Sequence, residues 1–148
     1  MSLWDKLFGS RPPGPRMTLE GKRFAPVENP TEDQVRQLIQ GLTNGETSFA
    51  YLTDQSGNYV QAAGSRPWCF VERRTISPAA HYRAFQNTPN PKYNDGAKIR
   101  TGARNIKLQH DQWFLLKDAA EIFVAFLANE KFPDAVEWRS MNEMLGLL

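Results

Sequence analysis

The sequence contains one cysteine and no long apolar run. A single cysteine cannot form an internal disulfide bond, so nothing in the sequence indicates an oxidising compartment. The polar start, MSLWDKLFG, lacks the apolar core and the cleavage site of a signal peptide. No apolar stretch approaches the roughly 20 residues that are needed to span a bilayer. We therefore predict a protein without a membrane span that is located in the cytoplasm.

Motifs that carry enzyme chemistry are also missing. The sequence has no glycine-rich phosphate loop, no CxxC pair, no HExxH and no GxSxG. The two histidines, His81 and His110, have no cysteine or carboxylate at the spacing of metal ligands. Asp111 beside His110 could act as an acid or base, but the stretch QHDQW is more typical of a polar turn. The sequence thus predicts no catalytic residue, no cofactor and no metal site, and we expect that the protein is not an enzyme.

The composition indicates one globular domain with an uneven charge distribution. The chain has 148 residues, of which 41% are hydrophobic and 23% charged, and its formal net charge is +2. Residues 66–107 carry nine Lys and Arg against two Asp and Glu, whereas the counts are one against five in 24–65 and three against seven in 108–148. A basic surface attracts nucleic acid or an acidic protein. Alternatively, the acidic flanks fold against the basic segment and neutralise it.

The chain is predicted to divide into an N-terminal appendage, residues 1–23, and one domain, residues 24–148. The start of the appendage has apolar residues at helical spacing, and the following RPPGPR cannot continue a helix because proline lacks the amide donor. We interpret this segment as a short amphipathic hook on a linker, which most simply packs on the domain.

The domain reads as an α+β fold. Thr31 and Gln34 have the spacing of a capping box, and an apolar stripe follows, which predicts a helix over 32–42. Three β-rich segments, SFAYLT, YVQAAG and WCFVERR, then indicate an antiparallel meander. KIRTG and NIKLQ suggest two more strands, and LLKDAAEIFVAFLANEKF a second helix that ends at Pro133. We expect a mostly antiparallel sheet of about five strands, packed by an N-terminal and a C-terminal helix.

The cysteine lies in the third segment of the meander. Alternation along WCFVERR places Trp68 and Phe70 on one face and Cys69 on the other, so both faces begin apolar. This pattern favours a central strand with Cys69 buried as a small hydrophobe. An enzyme built on Cys69 and His81 is the less favoured alternative, because a nucleophilic cysteine needs a lowered pKa and a positioned base.

The segment 74–95 is a candidate contact surface. It reads as a loop rich in Ser, Pro and Asn with an aromatic and basic group, HYRAF, and arginine and aromatic side chains often anchor interfaces. The alternative is a loop whose aromatic side chains pack into the core. The predicted partner-binding residues are Arg74, His81, Tyr82, Arg83 and Tyr93.

A second function class depends on the two strands that follow. Their basic positions would line a solvated face, which is the arrangement of a nucleic-acid-binding module that contacts phosphates. These positions are Lys98, Arg100, Arg104 and Lys107.

The order of elements and four stretches, YVQAAG, FVERR, DAAEIFVAFL and FPDAVEWR, resemble immunity family 1 of bacterial polymorphic toxin systems. The resemblance covers roughly residues 31–145. Glu72 and Arg73 stand at the charged strand end of that family, and Pro133 and Trp138 at its C-terminal proline and tryptophan. The resemblance implies a non-enzymatic immunity protein that binds one cognate toxin tightly and blocks its active site or substrate channel. In that case we expect the acidic flanks to face a basic toxin, or the basic loop to face an acidic one.

Overall fold

The structure of the protein is a computed structural model. It describes residues 16–22, 24–43, 48–88, 90–101 and 104–142. These residues form two helices, α1 (Glu32–Gln40) and α2 (Leu116–Leu127), and ten strands. The strands are β1 (Thr18–Gly21), β2 (Phe24–Glu28), β3 (Phe49–Thr53), β4 (Tyr59–Ser65), β5 (Trp68–Thr75), β6 (Ala80–Gln86), β7 (Lys98–Arg100), β8 (Asn105–Lys107), β9 (Phe114–Leu115) and β10 (Val136–Ser140). The predicted α+β class is confirmed.

Eight of the described strands form one sheet, three more than predicted. The strand order is β10-β6-β5-β4-β3-β1-β2, and β9 pairs with β5. All of the pairs are antiparallel. The central meander is formed as predicted, with Leu52 opposite Val60 and Ala62 opposite Val71. Strands β7 and β8 exist as predicted but pair with each other in a separate two-stranded sheet.

The additional strands come from segments without a strong local strand signal. Residues 18–21, assigned to the appendage, form β1, because Leu19 is buried opposite Leu52 of β3. Residues 80–86, expected in a loop, form β6 between β5 and β10, with Ala84 turned into the core. Residues 1–15, which hold the predicted amphipathic hook, lie outside the described part of the chain.

Both helices pack on one side of the sheet. Thr31 Oγ1 accepts a hydrogen bond from the Gln34 amide at 3.1 Å, and Gln34 Oε1 accepts one from the Thr31 amide at 2.9 Å, so the predicted capping box is formed. Helix α2 ends before the predicted Phe132, and Asn129 just beyond it has a positive φ of 55°. Among the described residues, no helix has the length and apolar character to cross a membrane. The main core between helices and sheet includes Leu52, Val60, Cys69, Val71, Ile122 and Phe123, which confirms that Cys69 is buried.

A smaller apolar cluster lies on the other side of the sheet. The β7–β8 hairpin and the segment before it pack there on Phe70, with Ile99, Leu108 and Trp113 buried. The Tyr93 ring stacks on Trp113 with centroids 3.9 Å apart. The hairpin covers only part of this side, and we call the side of the sheet opposite the helices the open face.

Candidate binding face of the sheet

The open face is built by the strand positions that alternate with the core. In β3 and β4, Ala50, Leu52, Val60 and Ala62 point to the helices, so the residues between them point the other way. The same alternation continues through β5 and β6. The open face therefore displays Phe49, Tyr51, Tyr59, Gln61, Phe70, Glu72, Arg74, His81 and Arg83.

Three aromatic side chains form a row on this face. The rings of Phe49 and Tyr51 are stacked with centroids 5.8 Å apart, and the Tyr51 and Tyr59 centroids are 6.4 Å apart. All three side chains are partly exposed. This row was not predicted from the sequence, although Phe49 and Tyr51 in SFAYLT alternate with the small and aliphatic residues of the core face. Aromatic side chains in a partly exposed row are typical of interfaces with another protein.

A buried carboxylate, Glu72, organises the charges beside the aromatic row. Its Oε1 accepts a hydrogen bond from Gln61 Nε2 at 2.8 Å and lies 3.3 Å from His81 Nε2. Its Oε2 accepts from Arg83 Nε at 2.9 Å and lies 2.9 Å from Arg83 Nη2. The side chains of Glu72, His81 and Arg83 are all largely buried, with 10%, 8% and 11% of their surface exposed, so the carboxylate and its two basic partners are removed from most of the solvent. The network fixes the orientation of Arg83.

The protonation of Glu72 follows from these contacts. Burial alone would raise the pKa of the carboxyl group, because it disfavours the charged form. The hydrogen bond from His81, the charge of Arg83 and the hydrogen bond from Gln61 outweigh burial and hold the pKa of Glu72 below its usual 4.5. The carboxylate is therefore ionised at neutral pH.

The hairpin adds positive charge at the edge of the open face. Its four basic side chains, Lys98, Arg100, Arg104 and Lys107, are exposed, as predicted, and form no ion pair with the described residues. Lys98 lies directly opposite Lys107 in the ladder, and like charges in this position destabilise a pair of strands. Arg83 Nη1 donates to the Lys107 carbonyl at 3.3 Å, which ties the hairpin to the Glu72 network.

A pocket of about 200 Å³ lies between one part of the hairpin and the sheet. Its lining includes Phe49 of the aromatic row and Arg104 of the hairpin, so these two features adjoin each other. The volume is below the roughly 300 Å³ at which small-molecule sites begin. Nowhere in the described ranges do three His, Cys, Asp or Glu residues gather in a way that could hold a metal ion.

The structure brings together three of the five predicted partner-binding residues. Arg74, His81 and Arg83 share the open face, although His81 and Arg83 are largely buried against Glu72. Tyr82 lies on the opposite side of the sheet, and Tyr93 packs on Trp113 beneath the hairpin. The five residues therefore do not form one surface, and their role in partner binding stays a prediction.

The two residue pairs considered for catalysis are not assembled. Cys69 points to the helices and His81 to the open face, so the sheet lies between them. Complete burial raises the pKa of the Cys69 thiol, which disfavours the reactive thiolate. In the polar turn, His110 contacts Asp95, which raises the pKa of His110, while Asp111 pairs with Arg139 at 3.0 Å.

The basic segment is not neutralised by direct contact with its acidic flanks. Among the described residues, no ion pair joins a Lys or Arg of 66–107 to an Asp or Glu of either flank. The positive charge of the hairpin is thus available to a partner.

Comparison with models of known protein families finds no match, and comparison with curated protein sequences finds none either.

Proposed function

We propose that the protein is a non-enzymatic binding protein that contacts an acidic surface of a protein partner with its open face and hairpin. The observation that carries this proposal is the row of three partly exposed aromatic rings beside four exposed basic side chains that form no ion pair within the described part of the chain. Aromatic rings bury much apolar area when a partner docks, and uncompensated arginines and lysines guide an acidic partner to the face.

The resemblance to immunity proteins supports a specific form of this proposal. The partner would be a cognate bacterial toxin in the cytoplasm, and the protein would block its active site or substrate channel. Of the two orientations that the resemblance leaves open, the exposed basic hairpin favours an acidic region of the toxin as the contact.

Binding of a purified partner tests the proposal. Affinity capture of the tagged protein from its native cell extract, washed at two salt concentrations, provides the partner, and calorimetry measures its affinity. We expect that Tyr51→Ala and Arg104→Ala each weaken binding about tenfold or more. The matched controls are Ile76→Ala and Lys131→Ala, which remove an exposed apolar and an exposed basic side chain that belong to neither the aromatic row nor the hairpin. Equal affinities for all four variants would overturn the proposed surface.

Inhibition distinguishes an immunity protein from other binding proteins. An equimolar amount of the protein should abolish the activity of a toxin partner. A tightly bound partner whose activity is unchanged would remove the immunity function and retain the binding function.

Nucleic-acid binding is the second candidate function, and the pairing of Lys98 with Lys107 favours it. A bound polyanion, such as a phosphate backbone, relieves the repulsion between the two opposed lysines. This function predicts that affinity for single-stranded RNA or DNA falls steeply with salt and that Lys98→Ala reduces the slope by about one. No retention of nucleic acid at low salt would exclude it.

A further inference from the structure

Arg73 of β5 lies in an aromatic cage on the helix side of the sheet. Its guanidinium carbon is 4.5 Å from the ring centroid of Tyr82, 4.8 Å from that of Trp138 and 5.6 Å from that of Phe132. All three distances fall within the roughly 6 Å over which a cation is attracted to a ring face. The three rings come from β6, β10 and the segment before β10, so the fold assembles the cage from distant parts of the chain.

The guanidinium in this cage has no anionic partner among the described residues. Its Nε is buried and forms no hydrogen bond, and no described carboxylate lies within ion-pair distance. A buried donor without an acceptor is costly, because it has lost its hydrogen bonds to water. Desolvation accordingly lowers the pKa of Arg73. The rings stabilise the charge but leave the Nε–H donor without an acceptor.

A cleft of about 240 Å³ adjoins the cage, between the end of β5 and the C-terminal end of α2. Arg73 and Arg74 both line it. Asp54 also lines the cleft, but its Oδ1 accepts hydrogen bonds from the amides of Ser56 and Asn58, each at 2.9 Å. The volume is smaller than the roughly 300 to 1,000 Å³ of sites for drug-sized ligands, so the cleft suits one small chemical group.

We propose that this cleft binds a single carboxylate group through the guanidinium of Arg73. The planar fork of arginine matches the two oxygens of a carboxylate, and the buried Nε gains the acceptor that the chain does not supply. Asp54 and Glu130 at the cleft disfavour a doubly charged phosphate more than a singly charged carboxylate. The proposal goes beyond the partner face, because the group that holds the ligand, Arg73, points to the helix side of the sheet, although Tyr59 of the aromatic row and Arg74 also line the cleft.

Nuclear magnetic resonance of the ¹⁵N-labelled full chain tests this site. The Nε–H resonances of Arg73 and Arg83 are assigned with through-bond correlation experiments. Sodium acetate is then added while sodium chloride holds the ionic strength constant. We expect a saturable shift of the Arg73 resonance, whereas Arg83, whose Nε already donates to Glu72, does not saturate. A linear response at Arg73 equal to that in sodium chloride alone would overturn the proposal.

Two further titrations identify the chemical class and source of the ligand. Tighter binding of an N-acetylated glutamyl peptide amide than of acetate indicates the carboxylate of a polypeptide, and equal affinity indicates a free carboxylate. Both results support the site. Saturation by sodium phosphate at a lower concentration than by acetate would overturn the carboxylate assignment.

A substitution that keeps the positive charge shows whether acetate binding needs the bidentate contact of the guanidinium group or only electrostatic attraction. Arg73→Lys should weaken acetate binding about tenfold, because an ammonium group cannot make the bidentate contact, and Arg100→Lys on the hairpin should leave it unchanged. Binding monitored at Asn129, which lines the same cleft, provides the readout in both variants. Equal affinity for acetate in Arg73→Lys and the wild type would contradict the proposal. If Arg73→Lys does not fold, the titration of the wild type with acetate alone decides whether the site exists.

Discussion

Replacing Glu72 with glutamine should destabilise the fold by about 3 kcal/mol. The carboxylate oxygens face donors on both sides: Gln61 and His81 at Oε1, and Arg83 at Oε2. A glutamine has one carbonyl oxygen, so its NH₂ group must face a donor on one side or the other. The substitution therefore removes at least one charge-assisted contact and leaves the buried guanidinium of Arg83 without its counter-ion.

Urea unfolding at pH 7, followed by tryptophan fluorescence, measures the free energy of unfolding of both proteins. The matched control is Glu121→Gln, which breaks the ion pair between Glu121 and Arg36 on the surface of the two helices. We expect little change in the control, since the side chain of Glu121 is 52% exposed and solvent screens its charge. A loss below about 1 kcal/mol for Glu72→Gln would refute the claim that burial makes this network important for stability.

The pH dependence provides a second check on the same variant. The folded-state pKa of Glu72 is lower than 4.5, its value when unperturbed. Ionised Glu72 therefore stabilises the fold above about pH 4.5, and this contribution is lost as the pH falls through the folded-state pKa. The difference in stability between the wild type and Glu72→Gln should shrink below pH 4.5. A constant difference down to pH 3 would show that the ionisation of Glu72 does not contribute.

Three other substitutions or reactions test the packing. Cys69 should react with a thiol reagent only as fast as the protein unfolds, because its side chain is fully buried; rapid labelling of the native protein would contradict this. Gly64→Ala should lower the midpoint of thermal unfolding, since the added Cβ would lie 2.4 Å from the Trp68 carbonyl oxygen and 2.7 Å from Cys69 Cβ, and an unchanged midpoint would count against the tight approach of β4 and β5. Thr31→Ala should cost about 1 kcal/mol in urea unfolding through loss of the capping box, whereas Thr31→Ser should retain most of it.

The features that could be predicted from the sequence are those that depend on residues close together along the chain. The capping box at Thr31 and the burial of Cys69 follow from spacing and alternation within a few residues. Strand β6 was missed because Ser, Pro and Asn around HYRAF are typical of a loop, and its pairing with β10 joins residues far apart in sequence. The cage of Arg73 could not be predicted either, since Trp138 reaches it only through that same pairing.

The structure separates the charged groups into two classes that have different roles. Glu72 accepts hydrogen bonds on both carboxylate oxygens from side chains of the neighbouring strands. Its contacts therefore stabilise the sheet and leave neither oxygen free to act on a substrate. Lys98 and Lys107 are exposed and repel each other, so they gain from an added anion. Arg83 connects the classes, because it contacts both Glu72 and the backbone of Lys107. If the hairpin is part of the partner surface, Glu72→Gln should therefore weaken partner binding even under conditions in which the protein remains folded, although Glu72 itself is too buried to contact a partner.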